Sequence, residues 1–146
     1  MLGRMNEALQ IVKENEPPPN IRMASLYIAS FRALLEGDRA ASVRATDELM
    51  TGTFRDPEGW FYMARQLSYL NEPERAVAML SRAIDLGFFC YPWIIRDPWL
   101  DPIRGIPGFN AILTKARTLH QAAVDAFAAE GGEPLLGVRE SSPRSE

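Results

Sequence analysis

Very few side chains in this sequence could perform catalysis or hold a metal ion. Histidine and cysteine occur once each, as His120 and Cys90. A zinc site of the usual kind needs three or four such ligands. A Ser-His-Asp or Cys-His mechanism would have to use His120. We therefore expect no metal, no cofactor and no enzymatic activity.

Asp97 and Asp101 form a carboxylate pair that could serve acid–base catalysis or bind a divalent ion. Each precedes a proline, however, and Asp-Pro is a turn signal. No acidic loop of the calcium-binding type surrounds them. His120 lies on the apolar stripe of a helical pattern, without partner groups. We favour structural roles for all three, and an enzyme built on them is the least favoured hypothesis.

Composition narrows the class of partner. The chain has 146 residues, a formal net charge of −3 and a pI near 5.3. A near-balanced charge argues against nucleic acid as a partner. No apolar run approaches the roughly 20 residues of a membrane span, and the first residues lack the layout of a signal peptide. We expect one cytoplasmic domain with a protein or peptide partner.

Apolar residues recur at helical spacing, and alternating strand patterns are weak. The sequence therefore predicts an all-α fold of five or six helices. Prolines at 17–19 end the first helix. The predicted helices span 5–14, 21–36, 39–50, 57–70, 73–86 and 107–130, with an aromatic connection over 88–106 and a disordered tail over 131–146.

Capping residues mark the predicted helix ends. Asn20, Asp38 and Asp56 are expected N-caps, because their side chains can accept from free backbone amides. Gly37 and Gly52 are expected stops for the second and third helices. Short turns between these helices predict antiparallel neighbours.

The turns repeat. They lie at 3–4, 37–38 and 71–72, with a period of 34 residues, and a small residue follows each at the same distance. That small residue is Ala8, Ser42 or Ala76. A helix-turn-helix period of 34 is the signature of tetratricopeptide repeats.

Residues 57–90 resemble a tetratricopeptide repeat most closely. The residues at its large and small packing positions are Trp60, Met63, Ala64, Leu67, Ala76, Leu80 and Ala83. Small residues let paired helices approach, and large ones fill the gaps between them. Residues 23–56 fit less well, with Leu26 in place of tryptophan, and 1–20 resemble the second half of a repeat. At Phe88, where the family usually has proline, the pattern stops.

The resemblance implies an α-α superhelix of antiparallel helix pairs over 1–130, with a C-terminal capping helix over 107–130. In the family, the first helix of each repeat lines a concave groove that binds a peptide or helix. The groove positions it implies here are Tyr27, Phe31, Leu34, Phe61, Arg65 and Tyr69. These side chains either bind a partner or pack against neighbouring repeats and the last helix. The groove lacks the lysine and asparagine pattern of family members that clamp chaperone C-termini.

The aromatic connection over 88–106 has two interpretations. Seven large apolar side chains there form either an exposed interaction patch or a cover over the last repeat. We favour the cover. Residues 97–109 are also similar to an ending common on bacterial tetratricopeptide proteins that carry DNA-binding, cyclase or kinase domains.

Two hypotheses on function follow. The leading one is a protein-interaction module that binds a peptide or helix in its concave groove. The alternative is a regulatory C-terminal segment of a larger bacterial signalling protein. The first helix has apolar residues for two flanks, among them Leu9 and Val12, but only one neighbouring helix. We expect upstream residues or a second copy, in a homodimer, to cover the other flank.

Overall fold

The computed structural model describes residues 2–18, 20–51, 55–132 and 134, and within these ranges it contains helices and no strand. The helices are α1 (Leu2–Glu14), α2 (Arg22–Glu36), α3 (Arg39–Met50), α4 (Pro57–Tyr69), α5 (Pro73–Asp85), α6 (Tyr91–Ile94), a 3-10 helix (Pro98–Ile103) and α7 (Phe109–Ala129).

Two helix pairs form the centre of the fold. Helix α2 packs along α3, and α4 packs along α5. The turns within the pairs are too short for anything but antiparallel helices. Helix α1 packs on α2, while α7 packs on α5 and α6. The predicted all-α class and the two antiparallel pairs are confirmed.

Local sequence signals set most helix ends. Gly37 has a φ of 81°, and the amides of Gly37 and Asp38 close the end of α2 on the carbonyls of Leu34 and Ala33. The Asp38 side chain accepts from the Ala41 amide at 2.9 Å, and the Asp56 side chain accepts from the Glu58 amide at 3.0 Å. These two predicted caps are confirmed.

Other predicted ends are corrected. Ile21, not Asn20, precedes α2, and no side chain caps that helix. The last helix begins at Phe109 and not at Pro107, because Gly108 takes a left-handed φ of 91°. The connection over 88–106 adds two short helices, so the described residues form more helices than expected. The predicted stop at Gly52 and all but three residues of the predicted disordered tail lie outside the described residues.

The core lies mainly between α4 and α5. Ala64, Ala76 and Ala83 are completely buried where the two helices meet, among larger side chains such as Met63 and Leu80. Without large side chains at these three positions, the two backbones can approach closely. The core then continues into the connection and the start of α7 through Ile94, Leu100, Ile103, Phe109, Ile112 and Ala116.

Candidate functional site: an aromatic cleft between α1, α2, α4 and Trp99

The connection after α5 folds back over one face of the helix pairs. The 3-10 helix packs on α4 and α5, and its Leu100 and Ile103 are completely buried. Phe88 stacks on Phe61 of α4 with ring centres 4.5 Å apart. Most of the connection therefore covers the body of the fold, as favoured, whereas Trp93 and Ile95 remain exposed.

Two of the six groove positions are interior and need correction. Leu34 is 4% exposed and Phe61 is 1% exposed. Helical register identifies the face on which a residue lies, but here the connection and the neighbouring helices already cover that face at these positions. A partner cannot contact either side chain in this structure.

Trp99 of the 3-10 helix lies between two other groove positions. Its ring centre is 6.4 Å from that of Phe31 on α2 and 5.0 Å from that of Tyr69 on α4. Tyr69 keeps 48% of its surface exposed, and Phe31 is partly buried. Trp99 therefore joins the two helices and supplies a wall that the groove residues alone would not form.

A buried ion pair holds Trp99 in place. Arg65 Nε contacts Asp97 Oδ2, and the Asp97 side chain is 1% exposed. Asp97 Oδ1 accepts from the Trp99 backbone amide at 3.0 Å, which caps the 3-10 helix. The Arg65 guanidinium carbon lies 4.9 Å from the centre of the Trp99 ring and 5.5 Å from that of Tyr62, within the range of cation–π attraction.

A cleft remains open beside this cluster, and we call it the aromatic cleft. It measures about 350 Å³, within the size range of small ligand sites. Gln66 accepts from the Ser30 hydroxyl at 3.1 Å and so links α4 to α2 at the cleft. The cleft is lined by Val12, Tyr27, Ile28, Phe31, Tyr62, Arg65, Gln66 and Trp99.

Two tyrosines give the aromatic cleft its hydroxyl groups. The rings of Tyr27 and Tyr62 meet edge to face with centres 6.5 Å apart. Burial, with a smaller contribution from Tyr62, raises the pKa of Tyr27 to about 12. The hydrogen bond that the Tyr62 hydroxyl donates to Glu58 at 2.9 Å, together with burial, raises the pKa of Tyr62. Both hydroxyls are neutral at physiological pH.

A second cleft, of about 390 Å³, is lined in part by Asp97 and Pro98. Arg65 lines this cleft as well as the aromatic cleft. The remaining residues of the second cleft are Cys90, Pro92, Trp93 and Arg96.

A third cleft, of about 530 Å³, lies between the α1–α2 loop and α3. Its four charged residues form two ion pairs, Arg22 with Glu48 and Arg32 with Glu16. The lining of this cleft contains no aromatic side chain, so it offers a partner fewer binding anchors than the aromatic cleft.

Comparison of the chain with protein-family models, curated proteins and solved structures found no match. No helix in the described ranges is long and apolar enough to cross a membrane. The function must therefore be argued from the geometry of this chain.

The residues considered for catalysis are not brought together as a reactive group. Asp97 is paired with Arg65, while Asp101 accepts from Arg104 Nε at 2.7 Å. His120 is partly buried on α7, and Cys90 is a free thiol. Among the described side chains, no group of three or more His, Cys, Asp or Glu residues could hold a metal ion.

Five lining residues of the aromatic cleft were not among the predicted groove positions. Ile28, Tyr62 and Gln66 each follow a predicted position on their helix, Val12 comes from α1, and Trp99 comes from the connection. The Asp-Pro-Trp sequence at 97–99 indicated a turn, but nothing in its pattern predicted which helix face it would meet.

Proposed function

We propose that this chain is a protein-interaction module of the tetratricopeptide type, with the aromatic cleft as the part of its concave groove that receives a peptide or a helix. The 34-residue period of the turns and the packed helix pairs support the repeat type. The partner is a protein or peptide that inserts an apolar side chain into the cleft.

The open aromatic cleft is the observation that carries the proposal. Aromatic and arginine side chains are the commonest binding anchors at interfaces, and four aromatic rings with one guanidinium line this cleft. They come from two helix pairs and the connection, each held by core packing. Such a pocket is formed in advance, so little conformational entropy opposes binding.

Selection from a displayed library of 12-residue peptides tests this function. Enriched peptides are measured for affinity on the native chain and on Phe31→Ala, which removes one wall of the cleft while leaving the core between α4 and α5 intact. We expect Phe31→Ala to weaken binding by about tenfold or more, the usual effect of truncating an anchor.

The matched control is Arg82→Ala. Arg82 lies over the Trp60 ring, 4.3 Å from its centre, in a different cleft with Met50 and Met79. We expect this variant to bind selected peptides with native affinity. Peptides that bind Phe31→Ala as well as the native chain would place the binding surface elsewhere, and the absence of any enriched peptide would argue against peptide binding.

A further inference from the structure

Arg65 is the one residue shared by the aromatic cleft and the second cleft. Asp97 and Pro98 line the second cleft, the next residue Trp99 lines the aromatic cleft, and Arg65 contacts Asp97. A segment of a partner that fills both clefts would therefore contact Arg65.

The guanidinium of Arg65 is only partly used within the chain. Nε contacts Asp97 and is buried, and Arg65 donates no hydrogen bond to a side chain or carbonyl in the part of the chain that the structure describes. The Nη atoms are not fully buried, and the side chain as a whole is 22% exposed. Guanidinium groups bind carboxylates well because two parallel N–H donors match the two oxygens.

The charges that line the second cleft favour an anion. They are Arg65, Arg96 and Asp97, which leaves one positive charge in excess. In the aromatic cleft the charge of Arg65 faces the carboxylate of Glu58, which accepts from the Tyr62 hydroxyl, so the positive excess lies on the side of the second cleft. A cationic partner group would be repelled by Arg65, which already occupies the space between the rings of Trp99 and Tyr62.

We propose that the partner segment carries an internal aspartate or glutamate flanked on both sides by apolar side chains. Its carboxylate binds the two Nη groups of Arg65, and its flanking side chains fill the aromatic cleft and the cleft beside Trp93. An internal carboxylate fits better than a chain terminus, because Arg65 lines two clefts and each of them has apolar side chains to receive a flanking residue. This inference rests on the proposed function and specifies the chemistry of its partner.

The test is the same display selection, carried out on the native chain and on the double variant Arg65→Gln/Asp97→Asn. The double change removes both charges together, so no buried ion is left without its partner. Net charge is unchanged. Thermal melts followed by circular dichroism establish that the variant is folded. The displayed peptides have no free C-terminus, so only internal carboxylates can be selected.

The control variant is Arg39→Gln/Glu72→Gln. It removes a different ion pair, at the turn between α4 and α5, with the same zero change in net charge. We expect the native chain and this control to enrich peptides in which an acidic residue lies between apolar ones. We expect the Arg65→Gln/Asp97→Asn variant to enrich apolar peptides without the acidic residue.

One selected peptide is then synthesised with glutamate or with glutamine at the acidic position, acetylated and amidated. On the native chain we expect the glutamine form to bind about tenfold more weakly, the range for loss of a charge-assisted hydrogen bond. On the double variant the two forms should bind equally. This double-mutant cycle isolates the contact between the carboxylate and Arg65.

The outcomes separate the two proposals. Peptides that bind Phe31→Ala more weakly but show no preference for an acidic residue would support the aromatic cleft as a binding site. They would contradict the proposed contact between a partner carboxylate and Arg65. An acidic preference that persists on the double variant would overturn the assignment to Arg65. If no peptide is enriched on the native chain, the proposed function itself fails.

Discussion

Removing the Asp97 carboxylate should loosen the segment that carries Trp99. Loss of one partner of a buried ion pair costs about 3–5 kcal/mol. Water can still reach Arg65, whose side chain is 22% exposed, so we lower the cost for Asp97→Asn to about 2–3 kcal/mol. Asparagine can still accept from the Trp99 amide. Asp97→Ala also loses that cap, worth about 1 kcal/mol more.

Urea unfolding followed by circular dichroism at 222 nm measures these differences. In a thermal melt, each kcal/mol lowers the melting temperature of a chain of this size by about 2–4 °C. Asp97→Ala should therefore melt roughly 10 °C below the native chain. Asp101→Asn is the matched control in the same 3-10 helix. Its pair with Arg104 is exposed, so we expect a loss of about 0–1 kcal/mol. If Asp97→Ala unfolds within about 0.5 kcal/mol of the native chain, the ion pair does not hold this segment.

Three further predictions concern the rest of the fold. Ala76→Leu and Ala83→Leu should each destabilise the chain by about 1–3 kcal/mol, because both alanines are completely buried between α4 and α5; unchanged melting midpoints would contradict this close packing. The raised pKa of Tyr27 means that its hydroxyl keeps its proton in the folded chain at a pH at which the unfolded chain loses it. The stability that this protonated hydroxyl contributes is intact below pH 10 and is lost between pH 10 and about 12. Tyr27→Phe should therefore flatten the alkaline decline in stability, and an identical decline in both chains would oppose the assignment. Ile11 on α1 is 54% exposed; if copies of the chain pair through this helix, Ile11→Glu should convert a dimer to a monomer in light scattering, and a monomer before and after the change would refute the pairing.

Val12, the next residue on this helix, is not a suitable position for the same test. Val12 is buried and lines the aromatic cleft. A glutamate at Val12 would disturb the fold and the cleft together, so its effect on pairing could not be interpreted.

Most of the helices could be predicted because their ends depend on nearby residues. Helix α3 begins after the Asp38 cap and spans Arg39–Met50, as expected. Helix α4 begins at Pro57 after the Asp56 cap. Proline, aspartate and glycine act within a few residues of their own position, so the sequence alone is enough to locate them.

The covering of the groove could not be predicted in the same way. Register placed Phe61 on the face of α4 that lines the groove in the family, yet its burial depends on Phe88, 27 residues later in the chain. Likewise, Asp97 looked like a turn residue, which it is, and its pairing with Arg65 depends on how the whole connection folds back. Contacts between distant segments leave no period in the sequence.

Backbone amide chemical shifts, measured by ¹⁵N NMR during titration with a selected peptide, test the central claim most directly. The chain has three tryptophans, and their indole signals report on three different places: Trp99 in the aromatic cleft, Trp93 in the second cleft, and Trp60 beside Arg82. We predict that the Trp99 indole and the amides of Tyr27, Phe31 and Arg65 shift together, while the Trp60 indole does not. Shifts confined to Trp60 and its neighbours, with Trp99 unchanged, would contradict the assignment of the aromatic cleft as the binding site.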